Sequence, residues 1–281
     1  MVDQSTKKDD SVVDTMLPVD EHVEEVAEDG RRVRRKGIYL LPNLFTTAAL
    51  FCGFYAVVSA MSGAFSAASV AIFVAMILDG LDGRVARLIN AQSKFGAEYD
   101  SLSDMVSFGV APALVSFSWA LHHLGKFGWM VAFIYAACTA LRLARFNTQV
   151  ETADKRFFTG LPSPSAAAVV AGMVWAFSDY GVDGSNVVIA ILAALITGLS
   201  GIMMISNFRY NSFKQLDFKG RVPFFFILVV VLCFAVIFTD PPRVLLFIFL
   251  VYAGSGPILS VMNSGGPDAG KVESGRQGIS D

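Results

Sequence analysis

Charge is scarce in this sequence. Of 281 residues only 16% are Asp, Glu, Lys or Arg, while 54% are hydrophobic and the mean hydropathy is +0.56. An ordinary soluble domain carries about a quarter charged residues, so lipid rather than water is the solvent for most of this chain. Cysteine is equally sparse. Cys52, Cys138 and Cys233 each stand alone within an apolar run, which argues against both a disulfide framework and a thiolate metal site. The one adjacent histidine pair, His122 and His123, falls in an expected loop far from the acidic residues that matter below, where a solvated loop explains it better than a ligand pair. The first thirty residues are polar and acidic with no apolar central region. No cleavable signal peptide is expected there, and the first membrane helix should act as its own targeting signal.

The charges that are present are segregated. Ten acids and two lysines lie in residues 1–30, and Arg31, Arg32, Arg34, Arg35 and Lys36 follow in one cluster. Residues 1–30 read as a disordered acidic tail, and 263–281, dense in Gly, Ser and charge, read as a second one. Residues 31–41 combine the basic cluster with Ile38, Tyr39, Leu40 and Leu41, which fits an in-plane juxtamembrane helix on an anionic leaflet, or equally an ordinary basic flank. Between the tails lie eight apolar segments, near 38–61, 64–89, 98–121, 127–148, 164–180, 186–206, 222–239 and 242–262, each close to the ~20 residues a helix needs to cross a bilayer. The fold class is therefore an all-α polytopic transmembrane helix bundle of eight helices. Basic residues test the count independently. With the N terminus inside, Lys126 and Arg243 are the only two of 22 Lys and Arg that fall outside, as the positive-inside rule requires. Both termini are expected in the cytoplasm.

Carboxylates are rare in membrane helices and are functional candidates where they occur. The second segment carries Asp79 and Asp82, and the third carries Asp100 and Asp104. On helices, Asp79, Asp82, Gly83 and Ala86 fall within a stripe about 100° wide, and Asp100 and Asp104 lie about 40° apart with Ser103 and Ser107 beside them. Four buried acids facing one another are stable only if protonated or neutralised by cations. An all-oxygen set with no His or Cys nearby suits Mg²⁺ or Mn²⁺ rather than zinc. Gly83 and Ala86 leave bare backbone for a base or a phosphate, and Arg87 offers a fork of donors. The competing reading is a charge network with Arg84, Arg87 and Lys94, in which Gly83 and Ala86 only allow close helix packing.

The run DGLDGRVARLINAQSKFGAEYDSLSD, Asp79 to Asp104, resembles the CDP-alcohol phosphatidyltransferase signature D-x2-D-G-x2-A-R-x8-G-x3-D-x3-D, with every specified position filled. The resemblance implies that Asp79, Asp82 and Asp100 hold one divalent metal, that Asp79, Asp100 and Asp104 hold a second, and that Asp104 is also the general base. It implies that Gly83, Arg87 and Ser93 contact the CDP-lipid. PNLFTT, Pro42 to Thr47, is similar to the opening of the family's first segment, so Asn43 and Thr46 are expected at the nucleotide and diphosphate, although helix capping by Asn and Thr is the simpler alternative. LRLARFN (Leu141 to Asn147), FFTGLPSPSAAA (Phe157 to Ala168) and SNFRYNSFK (Ser206 to Lys214) resemble the phosphatidylserine synthase branch of that family.

The resemblance places a six-helix family core at 42–221, with 222–262 as an additional transmembrane pair that receives no function from it. The implied reaction moves a phosphatidyl group from CDP-diacylglycerol to L-serine at the cytoplasmic face of the cell membrane, in a homodimer embedded in lipid, with no nucleic-acid partner. Arg142 and Arg145, with Asn207 and Arg209, are the candidates for the acceptor carboxylate or a phosphate, against the alternative that positive-inside bias alone put the arginines there. Gly160, Pro162 and Pro164 are expected to make a rigid loop beside the pocket. Other acceptors (glycerol phosphate, inositol phosphate, choline) and an ether-lipid donor are the alternatives within the chemistry. A cation transporter is the alternative outside it, disfavoured because the acids sit toward one face and no internal repeat is evident. A catalytically silent scaffold is disfavoured by the intact set of four Asp.

Overall fold

The computed structural model of the chain describes residues 25–28, 31–34, 40–89, 94–149, 157–211 and 224–263. Each of the eight apolar segments becomes helical: α1 (Leu40–Met61), α2 (Phe65–Leu88), α3 (Lys94–Asp104) running through a π-helical turn (Met105–Val110) into α4 (Ala111–Trp119), α5 (Lys126–Gln149), α6 (Ser163–Asp179), α7 (Val187–Ile205), α8 (Phe224–Thr239) and α9 (Pro241–Asn263). Six of them are long and apolar enough to cross a membrane: Leu41–Met61, Phe65–Leu88, Phe95–Trp119, Lys126–Thr148, Val187–Ile205 and Pro241–Ser260. The shorter two are α6, with 17 residues, and α8, with 16. Large apolar side chains face outward, with Phe51 66%, Phe54 60% and Phe247 69% exposed. Such a surface is consistent with a multi-pass membrane protein.

Lipid tails are as apolar as a leucine, so burial does not drive these helices together; close packing and interhelical hydrogen bonds do. The buried Ala166, Ala167, Ala168, Ala171 and Gly172 make α6 the axis of the bundle, against α2, α4, α7 and α9. A Cβ on Gly172 would come 3.3 Å from the Leu246 Cα of α9, and one on Gly201 3.1 Å from the Tyr135 Cα of α5. Ser116 and Thr197 share a buried hydrogen bond at 3.0 Å between α4 and α7. Each such bond contributes about 0.6 kcal/mol on average.

The π-helical turn has an identifiable cause. Ala111 N–H returns to the carbonyl of Val106, five residues back, and Pro112 has no N–H to return. The Phe108 carbonyl thereby left over accepts the hydroxyl of Tyr135, fully buried in α5, at 3.1 Å. Such turns gather at functional sites, and this one begins directly after Asp104.

Two antiparallel ladders depart from the all-helical expectation. Arg31–Arg34 is a strand (β2) paired with Glu25–Glu28 (β1), not the in-plane helix expected over 31–41, and 25–28 leaves the tail that was expected to be disordered. The register sets Glu25 opposite Arg34, Val26 opposite Val33 and Glu28 opposite Arg31. Opposite charges and β-branched pairs across a ladder favour a strand, and Asp-Gly, the sequence between the two strands, is a dipeptide that favours hairpins. The remaining expectations for 1–24 and for the tail beyond Asn263 lie outside the described residues. The second ladder pairs Phe157–Thr159 (β3) with Arg209–Asn211 (β4), joining the loop before α6 to the segment after α7. Gly160 follows at φ 83°, where any Cβ would meet the Met204 carbonyl oxygen at 2.2 Å. That position demands glycine, and the expected rigid loop is present: Gly160 N–H donates to the Phe208 carbonyl at 2.9 Å, and α6 starts within Pro162-Ser163-Pro164.

Candidate active site

The site forms where the N-terminal parts of α1 and α6 and the C-terminal half of α3 meet the C-terminal parts of α2 and α5. One carboxylate oxygen from each of Asp79, Asp82 and Asp100 lies within 4.8 Å of the others. Asp104, one turn beyond Asp100, is in hydrogen-bond contact with Asp79. The four acids predicted to face one another across a helix pair therefore do so.

The neighbouring polar groups hold this arrangement in place. Thr46 is buried in α1 and donates to the Asp82 carboxylate at 3.0 Å, sharing its proton with the Pro42 carbonyl at 3.2 Å. Ser103 and Ser107 donate to the Thr46 and Ala49 carbonyls, each at 3.1 Å, and so fasten α3 and the π-helical turn onto α1. Gly53 permits that approach, since a Cβ there would lie 2.5 Å from the Ser107 hydroxyl oxygen. The capping alternative for Asn43 and Thr46 is removed, because α1 begins at Leu40 and both stand inside it. Thr47 extends the α1–α3 contact through a 2.9 Å hydrogen bond with Tyr99.

Among the described residues, the buried Oδ1 of Asp100 has no hydrogen-bond partner, and neither has the Nε of Arg142. An orphaned carboxylate oxygen beside two further carboxylates suits a hard divalent cation that takes oxygen ligands. Gly83 fits a second part of the prediction. Among the described residues nothing lies within 4 Å of the position its Cβ would occupy, so close packing of the described helices does not explain this glycine and bare backbone stands open beside the acids. Ala86 is half-buried and Arg87 exposed on the same helix end. Ser93 lies outside the described residues.

The arginines separate. Arg142 comes within electrostatic reach of Asp104 and donates from a terminal nitrogen to the Ser163 hydroxyl at 2.8 Å. Arg145 turns to Asn207, whose amide oxygen accepts at 3.0 Å on an exposed surface. Arg209 opens β4 opposite Thr159. Of Arg142, Arg145 and Asn207, only Arg142 comes within electrostatic reach of the acids. Sequence reasoning missed Ser163, Tyr252 and Tyr135 as its surroundings. Nothing in a local pattern marks a tyrosine of α9 as a neighbour of α5. His122 and His123 lie at the other end of the bundle in a short 3₁₀ turn, Leu121–Leu124. A groove of about 300 Å³ at that end, between α6 and α9, is apolar apart from Arg243, which is already paired with Asp240 at 2.8 Å and stacked over Tyr180 at 3.7 Å.

Fold and site together define a polytopic helical membrane protein with a carboxylate cluster for a divalent cation at one end of the bundle. The chain belongs to the CDP-alcohol phosphatidyltransferase family, which it matches over residues 39–205. It is 38% identical over 218 residues to the CDP-diacylglycerol–serine O-phosphatidyltransferase of Helicobacter pylori (strain ATCC 700392 / 26695), spanning 76% of this chain and 90% of that one. The protein of the same name from Mycobacterium bovis is 34% identical over 232 residues, 79% of each chain. That of Methanocaldococcus jannaschii is 36% identical over 187 residues, 66% of this chain and 81% of its own.

Proposed function

We propose that this chain transfers the phosphatidyl group of CDP-diacylglycerol to the hydroxyl of L-serine, giving phosphatidylserine and CMP. The observation that carries the reading is the convergence of four signature carboxylates and Arg142 at one end of the bundle, in a chain alignable along 90% of a relative bearing that activity's name. The basic residues gather at that same end, which supports a cytoplasmic active site. On this reading α6 and α8 also cross the inner membrane, making eight spans with both termini inside. At 17 residues α6 reaches the lower limit for crossing.

Two divalent ions, Mg²⁺ or Mn²⁺, supply charge neutralisation and alignment for the diphosphate when bound. Asp79, Asp82 and Asp100 are the residues to hold one, and Asp79, Asp100 and Asp104 the other. Asn43, Thr46, Gly83, Ala86, Arg87 and Ser93 receive the CDP-lipid, with Gly83 admitting the nucleotide to bare backbone. Asp104 accepts the proton of the serine hydroxyl. That oxygen attacks the lipid-side phosphorus in line with the CMP oxygen, whose bond to phosphorus breaks, and CMP departs. Arg142 holds the serine carboxylate in this reading, since its guanidinium lies within electrostatic reach of Asp104 and keeps an unpartnered Nε. Arg145, Asn207 and Arg209 serve at the rim. A homodimer belongs to the same proposal and is checked by crosslinking in bilayers.

The test is an acceptor panel. With purified protein, CDP-diacylglycerol and Mg²⁺ or Mn²⁺, CMP release is expected with serine and at far lower rates with glycerol phosphate, inositol phosphate and choline. Faster release with any of these overturns the assignment of serine.

A further inference from the structure

The family match ends at residue 205, yet the chain beyond it reaches the site. Tyr210 in β4 is fully buried, and its hydroxyl donates to the Ala253 carbonyl of α9 at 3.0 Å. That carbonyl has no helical donor of its own, because the residue four positions on is Pro257, inside the helix. It repeats what Tyr135 does for the Phe108 carbonyl released by Pro112. Gly256 makes room for the ring, since a Cβ there would fall 2.3 Å from it. Burial pushes the Tyr210 phenol up to about 12, so the hydroxyl keeps its proton and its donor role at physiological pH.

Tyr252 precedes Ala253, stacks at an angle on Tyr210 with ring centroids 5.6 Å apart, and lies within electrostatic reach of Arg142. On the other flank, β4 pairs with β3, which leads through Gly160 to Ser163, the residue that accepts a hydrogen bond from Arg142. Arg142 is thus bounded on two sides by one assembly, which Tyr210 fastens together.

We propose that Tyr210 and Tyr252 are positioning residues for the acceptor subsite, and that α9 is a wall of that subsite rather than an added membrane anchor. The inference rests on the reading of Arg142 as the cation for the acceptor carboxylate. Tyr252 orients that guanidinium, and Tyr210 holds β4 and α9 in the register that keeps Tyr252 there. The donor lipid is bound at α1 and α2, so the two tyrosines act on acceptor affinity and leave the donor untouched.

The experiment measures KM for serine, KM for CDP-diacylglycerol, kcat and Tm in nanodiscs for wild type, Tyr252→Phe, Tyr210→Phe, Pro257→Ala and Tyr210→Phe/Pro257→Ala. For Tyr252→Phe and Tyr210→Phe the serine KM is expected to rise up to about tenfold, because the Arg142 guanidinium is then less firmly held, with the CDP-diacylglycerol KM unchanged. Pro257→Ala supplies an N–H to the Ala253 carbonyl but no link to β4. The double variant should therefore regain the Tm lost in Tyr210→Phe and keep its raised serine KM. Recovery of both Tm and serine KM in the double variant would make Tyr210 a purely structural donor and overturn the proposal, as would a wild-type serine KM in Tyr252→Phe. Failure of the underlying reading looks different: wild type itself would then show no serine-dependent CMP release.

Discussion

Replacing Gly83 by Ala separates stability from function. In an exposed helix interior the change removes backbone entropy from the unfolded chain and stabilises by up to about 1 kcal/mol. Among the described residues nothing lies within 4 Å of the new Cβ, so no packing penalty from them offsets that gain, and Tm should hold or rise. The methyl group would nevertheless occupy the open backbone at which the CDP moiety is proposed to seat. Displacing a substrate by about 1 Å from its productive pose costs up to about a hundredfold, so kcat/KM for CDP-diacylglycerol should fall between about tenfold and a hundredfold. Gly53→Ala is the control of opposite sign. Its Cβ would lie 2.7 Å from the Ser107 Cα, and an overpacked contact of that kind costs about 1–3 kcal/mol. It should lower Tm by parting α1 from the π-helical turn. Thermal melts in nanodiscs and initial rates of CMP release read both variants. Full activity in Gly83→Ala with unchanged CDP-diacylglycerol KM refutes the reasoning that this glycine admits the nucleotide.

Asp100→Asn should abolish turnover and the thermal stabilisation conferred by Mg²⁺ or Mn²⁺, since its carboxylate joins the cluster and keeps an oxygen with no hydrogen-bond partner among the described residues; a metal-dependent Tm shift equal to wild type counts against the metal assignment. Arg142→Lys should raise the serine KM far more than that for CDP-diacylglycerol, because Lys cannot form the bidentate pair, and ethanolamine, which lacks the carboxylate, should be a very poor acceptor in the wild type. An ethanolamine rate matching that of serine would return Arg142 to the lipid phosphate. Single-cysteine labelling should find positions near Lys126 and Arg243 accessible only from outside and positions near Lys94, Lys155 and Lys214 only from the cytoplasm; external labelling at Lys214 breaks the eight-span arrangement.

The helices and the four acids were legible in the sequence because both rest on local periodicity. Apolar runs mark segments within a few residues of α1 to α9, and a spacing of three or four residues puts Asp79 with Asp82 and Asp100 with Asp104 on one face each. The opposite charges that pair across β1 and β2 are equally local, but a basic cluster beside apolar residues suits an anionic lipid surface as well. What stayed hidden depends on contacts between distant segments. Ser103 and Ser107 seemed to belong to the acidic face, yet their hydroxyls serve α1 carbonyls. Arg142 and Arg145 looked equivalent one turn apart, and only the fold sends one to Asp104 and the other to Asn207. The prolines at 112 and 257 announce unpaired carbonyls, but not that Tyr135 and Tyr210 satisfy them.

The central claim is that this carboxylate cluster joins serine to the phosphatidyl group in a metal-dependent step. Its most direct test supplies the purified chain in nanodiscs with CDP-diacylglycerol, isotope-labelled L-serine and Mg²⁺ or Mn²⁺, and follows labelled lipid and CMP together. The account predicts labelled phosphatidylserine and CMP in equal amounts, both lost on chelation and in Asp104→Asn. CMP released without labelled lipid, or product formed undiminished in the presence of chelator, contradicts it.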